Sequence, residues 1–165
     1  MRYIPTPRLG IVIAAAGLLC GPLVAVGFAA WLPWVVVGLV LGAALLDTLW
    51  MVPGAALTAR RELPARLGVG ARNRVRVVVS NASDRPVEVK VRDEVPLRLQ
   101  PQPEVVSTVV AAGVEASVEY AVYPRSRGAV DLGWICLRWR GPLGLMLAQR
   151  RIEPAVDART ARVYP

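Results

Sequence analysis

The chain has 165 residues, with 20 basic and 12 acidic side chains and a formal net charge of +8. Histidine is absent, which excludes Ser-His-Asp and Cys-His catalysis, histidine-ligated zinc and the usual proton shuttle near neutral pH. Hydrophobic residues make up 55% of the chain and crowd into one long uncharged run, so the composition is not that of an ordinary soluble globule.

Residues 1–8 form a short tail carrying Arg2 and Arg8. The next 38 residues, 9–46, contain no acidic or basic side chain, about twice the length that one membrane span needs. Trp31-Leu32-Pro33-Trp34 interrupts that run with a helix breaker between two indoles, the residues that favour a membrane interface. The pattern therefore predicts a transmembrane hairpin: a first helix over residues 9–30, a turn at 31–33 and a second helix over 34–52. At 1.5 Å per residue the two measure roughly 33 and 28 Å, which suits a hydrocarbon core of about 30 Å. Arg2 and Arg8 precede the first span, Arg60, Arg61 and Arg66 follow the second, and the turn is uncharged. The positive-inside rule then places both tails in the cytoplasm, with the hairpin in the inner or plasma membrane.

Each span carries a small-xxx-small face, Gly17 with Gly21 and Gly38 with Gly42. Folding the chain back at residues 32–33 brings Gly27 beside Gly38, so these five glycines are the expected helix-packing surface, with dimerisation or a partner helix as the other use. Asp47 is the one charged residue within the spans, about two turns from the cytoplasmic end of the second. A lone carboxylate makes a poor proton relay, and a structural or assembly role is expected. Cys20 and Cys136 fall in different regions and predict neither a disulfide framework nor a thiolate metal cluster.

Residues 53–61 read as a linker and 62–165 as the β-domain. From Glu62 onward the hydrophobic period becomes two, with Val75, Val77 and Val79, then Val87, Val89 and Val91, then Val118, Tyr120 and Val122 on one side of their strands. The turn-forming cluster Asn81-Ala82-Ser83-Asp84-Arg85-Pro86 predicts that the first two runs pair as an antiparallel hairpin. Further runs at 105–111, 130–140, 143–152 and 158–164 complete an antiparallel sandwich of immunoglobulin-like type; the whole is a membrane-anchored all-β protein. If the first two runs pair, Arg74, Arg76, Lys90 and Arg92 share one outer face, suited to anionic lipid headgroups. No recognition helix, zinc finger or RNA-binding strand pattern accompanies that charge, so nucleic acid is not an expected partner. Pro142-Leu143-Gly144 reads as a structural turn, with Pro142 fixing φ at its second position and Gly144 in the left-handed region.

Arg60-Arg61-Glu62-Leu63-Pro64, the segment 75–96 around Asn81, Pro124, Arg127-Gly128, Leu132-Gly133, Leu137-Arg138, Pro142-Leu143-Gly144-Leu145 and Val163-Tyr164-Pro165 follow one another in a distinctive order. Over nearly its whole length the chain resembles the N-terminal part of the bacterial domain-of-unknown-function 58 family. The resemblance implies a membrane hairpin and β-domain that precede a von Willebrand A-like domain and work with a MoxR-type AAA+ ATPase. Any metal-ion-dependent adhesion site would lie in that later domain, beyond Pro165, so no cofactor or metal is expected here. With no nucleophile-base pair or metal-ligand cluster, the expected function is a non-enzymatic interaction or scaffold module. The alternative is an extracytoplasmic β-domain that binds envelope components, which requires the inverted topology.

Overall fold

The computed structural model describes residues 1–27, 30–64, 66–155 and 158–164. The chain divides into two compact units: a helical unit of Arg2–Met51 with Arg140–Ala148, and a β unit of Met1, Val52–Trp139 and Gln149–Pro165.

The helical unit begins with a short strand β1 (Arg2–Pro5), followed by helices α1 (Pro7–Ala25) and α2 (Leu32–Leu49). Pro7 and Pro33 each lie in the first turn of their helix, where a missing backbone N–H removes no intrahelical bond. Pro33 therefore opens α2 and does not belong to the connecting turn, and the expected bounds 9–30 and 34–52 shift toward the N-terminus. Gly27, at φ +80°, takes the left-handed conformation that ends a helix, two residues past Ala25. The rest of the expected first span includes residues 28 and 29, which lie outside the described residues. Both helices are long and apolar enough to cross a membrane, and most of their large side chains are exposed, among them Ile11, Leu18, Leu19, Trp34 and Leu39.

The β unit is mostly antiparallel. Its strands are β2 (Leu57–Glu62), β3 (Leu67–Gly68), β4 (Asn73–Asn81), β5 (Val87–Asp93), β6 (Val106–Val110), β7 (Glu115–Val122), β8 (Gly128–Asp131), β9 (Ile135–Arg140), β10 (Met146–Ile152) and β11 (Thr160–Tyr164). The ends of β9 and β10 nearest their connecting turn belong to the helical unit. One sheet is ordered β2-β4-β7, a second contains β10-β9-β5-β6, and a third small sheet is β3-β11-β8, in which β11 runs parallel to β3. Val75, Val77 and Val79 of β4 and Val87, Val89 and Val91 of β5 are all buried, as their two-residue period requires. Together with Leu57, Val110, Ile135, Leu137 and Trp139 they build the core, each burial contributing about 1.5 to 3 kcal/mol.

Two expectations are corrected here. Residues 53–61 are not simply a linker, because β2 starts at Leu57, pairs with β4 throughout its length and buries both Leu57 and Arg61. Nor do β4 and β5 form a hairpin, since β4 pairs with β2 and β7 while β5 pairs with β6 and β9 in another sheet. The reason lies in Asn81, whose buried amide nitrogen donates to the carbonyls of Arg85 (2.7 Å), Val110 (3.3 Å) and Ala111 (3.1 Å). Its Oδ1 accepts from the Ser83 backbone N–H (3.0 Å) and hydroxyl (2.6 Å). The turn-forming cluster is thus an arch that carries the chain from one sheet to the other, bound to the end of β6.

Candidate functional site

In the helical unit, the last turns of α2 present Asp47, which is fully buried. Its Oδ1 accepts the Leu143 N–H (2.6 Å), and its Oδ2 accepts the N–H groups of Leu145 (2.8 Å) and Met146 (2.7 Å). The Gly141-to-Met146 turn closes on itself through Gly144 N–H to Gly141 O (2.9 Å) and Gly141 N–H to Met146 O (3.0 Å). These bonds aim the Leu143, Leu145 and Met146 amides at one point and make an anion-binding concavity, which the Asp47 carboxylate fills.

Two glycines make room for that seat. A Cβ on Gly141 would fall within the Asp47 carboxylate and 2.7 Å from the Asp47 carbonyl oxygen. Gly144 has φ +69°, and a Cβ there would lie 2.8 Å from Nη1 of Arg8. From the other side Thr6 holds the turn, donating its hydroxyl to Gly144 O (2.7 Å) and Leu145 O (3.0 Å) and its N–H to Leu145 O (2.9 Å). Thr6 occupies the N-cap position of α1, yet its side chain makes no cap bond because the hydroxyl is committed to the turn. Asp47, Thr6 and Gly141 to Met146 form one clamp. A carboxylate held by backbone donors on both oxygens acts as a fixed structural anion, and Thr48 takes no part, its hydroxyl donating to Ala44 O (2.9 Å).

The β unit holds a second buried polar group. The Arg61 guanidinium clasps the Asp93 carboxylate bidentately, through Nε (2.7 Å) and Nη2, and donates to the carbonyls of Ala158 (2.9 Å) and Gly133 (2.9 Å). The Tyr120 hydroxyl donates to the same carboxylate. Burial first, and then the negative charge of Asp93, push the Tyr120 hydroxyl far above its ordinary pKa and keep it a proton donor. Asp93 and Arg61 are thereby satisfied from every side, and among the described residues no buried side-chain polar atom lacks a partner.

The remaining expected sites fare differently. Among the described residues, methyl groups built on Gly17, Gly21, Gly27, Gly38 and Gly42 would meet nothing within 4 Å, so the described parts of the helices do not pack through these glycines. Instead Gly17 borders an apolar cleft of about 220 Å³ between α1 and α2, lined also by Cys20, Val36 and Val40. The shared basic face is also corrected: Arg74 and Arg76 lie on the outside of the β2-β4-β7 sheet, Lys90 and Arg92 on the outside of the other. Arg76 pairs with Glu119 at 2.8 Å, which holds that carboxyl below the usual glutamate range, and Arg60 pairs with Glu115 at 2.9 Å. Thr6 and Gly141 were not marked by the sequence reading. The available signal was the coincidence of one charged residue in an apolar hairpin with one glycine-flanked Pro-Leu string.

No family model matches the sequence. No curated protein matches it either. Among solved structures, the chain is similar to a CARDB domain of a Pyrococcus furiosus protein, crystallised in complex with di-metal ions. The two share 15% identity, with 66% of this chain and 87% of that chain covered and a TM-score of 0.41. A solution NMR structure of a CARDB domain from the same organism shares 14% identity, covering 66% of this chain and 94% of that one with a TM-score of 0.37. The β architecture described here stands on its own strand pairing. Among the described residues no group of three His, Cys, Asp or Glu side chains is placed to hold a metal ion.

Proposed function

We propose that the chain is a non-enzymatic, membrane-anchored interaction module. In this reading α1 and α2 cross the inner or plasma membrane with both tails cytoplasmic, and the β unit is an immunoglobulin-like sandwich presented there to a protein partner. The family resemblance suggests a MoxR-type AAA+ ATPase for that partner and, for this chain, the N-terminal part of a larger protein. The carrying observation is the clamp: the one charged residue of the apolar hairpin is buried and engaged by three backbone donors. That arrangement gives it a role in holding the anchor together. The exposed apolar sides of both helices support the membrane assignment, because such surface requires a covering that water does not provide.

Reporter fusions after Pro165 test the topology. A fluorescent fusion that lights up, with an inactive alkaline phosphatase fusion, is expected. The reverse pattern would move the β unit to the far side and favour the binding of envelope components.

A further inference from the structure

We infer that the outward face of the β9-β5-β6 sheet docks on anionic phospholipid headgroups, an inference that rests on the membrane-anchored reading above. The two outer faces of the sandwich are charged in opposite styles. On the β2-β4-β7 face, Arg60, Arg74 and Arg76 stand among Glu62, Glu115 and Glu119, and ion pairs join Arg60 to Glu115 (2.9 Å) and Arg76 to Glu119 (2.8 Å). On the other face, Lys90 lies directly opposite Arg138 in the β5-β9 register, with Arg92 next along β5 on the same side. Among the described residues none of these three cations forms an ion pair within 4 Å, and Arg138 reaches only the Gln149 amide oxygen (3.1 Å).

Like charges set directly opposite in a sheet are unfavourable unless an anion relieves them. The other face relieves Arg60 and Arg76 with glutamates; this one carries the outward Glu88 on β5, yet among the described residues no ion pair within 4 Å joins it to the three cations. Beside them on β6, Val109 is 66% exposed at the position opposite Glu88, and Ser107 faces Lys90. Cations that fork onto phosphate, next to an exposed branched apolar side chain, suit the boundary between headgroups and acyl chains. A single-stranded nucleic acid would call for stacking aromatics, and the outward positions of β5, β6 and β9 carry none among the described residues.

Lys90 is the one lysine in the chain, which makes this face separately readable. The full chain is reconstituted into nanodiscs of phosphatidylcholine alone or mixed with phosphatidylglycerol, and amine-reactive labelling of Lys90 is followed by mass spectrometry. Labelling should slow about fivefold or more in the anionic discs and recover when added salt shortens the screening length from about 8 Å toward 3 Å. Arg92→Gln with Arg138→Gln should lift the protection. A chain carrying Lys90→Arg and Ser117→Lys, whose lysine sits on the opposite face, should label alike in both discs. Equal Lys90 labelling in the two discs overturns the proposal, as does equal slowing at position 117. So does protection by a soluble acidic peptide in neutral discs without protection by phosphatidylglycerol, which points to an acidic protein partner. A chain that fails to enter the discs at all refutes the anchoring reading itself, a distinct result.

Discussion

Replacing Asp47 with asparagine changes one oxygen into an NH₂ group and removes the charge while keeping the shape. The carboxylate accepts one N–H on Oδ1 and two on Oδ2, so the least costly orientation turns the new NH₂ toward Leu143 and keeps the oxygen on Leu145 and Met146. One donor then faces another donor, and the two surviving bonds lose their charge assistance. Bonds to charged groups contribute about 1.5 to 3 kcal/mol each and neutral ones about half that, so the clamp should weaken by about 3 to 6 kcal/mol. Hydrogen exchange on the full chain in detergent or nanodiscs reads this locally, because amide protection reports the free energy of opening. The Leu143, Leu145 and Met146 amides should exchange about 140- to 20,000-fold faster in the variant, at 1.4 kcal/mol per factor of ten. Glutamate should not rescue, since the lengthened side chain meets Gly141, where even a Cβ has no room. If the asparagine variant keeps full protection at all three amides, the carboxylate does not hold the turn and the account of the clamp is wrong.

Other expectations follow from the same structure. Arg61→Ala leaves the Asp93 carboxylate buried and uncompensated and should cost about 3 to 5 kcal/mol in denaturant titrations, whereas Tyr120→Phe, which removes one donor to it, should cost about 1.5 to 3 kcal/mol. Gly144→Val should lower Tm clearly, because φ is +69° there and a branched side chain in the left-handed region costs on the order of 1 to 2 kcal/mol or more; a Tm equal to the parent's would count against the turn as a fold determinant. The Arg76 interaction lowers the Glu119 pKa, so its contribution is present at neutral pH and lost as pH falls through that lowered value. NMR titration should find Glu119 below the ordinary glutamate range and returned to it by Arg76→Gln. Gly17→Ala and Gly42→Ala have open space and should leave Tm unchanged; a large drop would mean that the helices pack more closely than described.

Alternation of apolar residues told which side of each strand faces inward, and the burial of Val75, Val77, Val79, Val87, Val89 and Val91 follows from it. It could not tell which sheet a strand joins. A hairpin turn and an arch between sheets draw on the same asparagine, serine and proline residues, and the difference rests on the carbonyls of Val110, the last residue of β6, and Ala111, some 30 residues beyond Asn81. The basic face was misplaced for that reason alone. Arg61 was hidden differently: an arginine just after an apolar span is an ordinary membrane flank, and nothing local reveals that Asp93 and Tyr120 receive it in the core. Asp47 and the Pro142-Leu143-Gly144 string both stood out, but separately. No periodicity links positions 96 to 99 residues apart, and backbone amides, the actual partners of Asp47, leave no mark in the choice of side chains.

That separation gives the clamp a place in time. Asp47 leaves the ribosome 96 to 99 residues before the amides that receive it, an interval of about 5 to 20 s at synthesis rates of about 5 to 20 residues per second. Throughout that interval the nascent helix pair carries the Asp47 carboxylate without these backbone donors. Only a chain extended through Met146 supplies all three N–H groups. A product released before Leu143 would leave the Asp47 carboxylate without any of these three donors, so the end of α2 reaches its described state only in a chain that has been made well into the β unit.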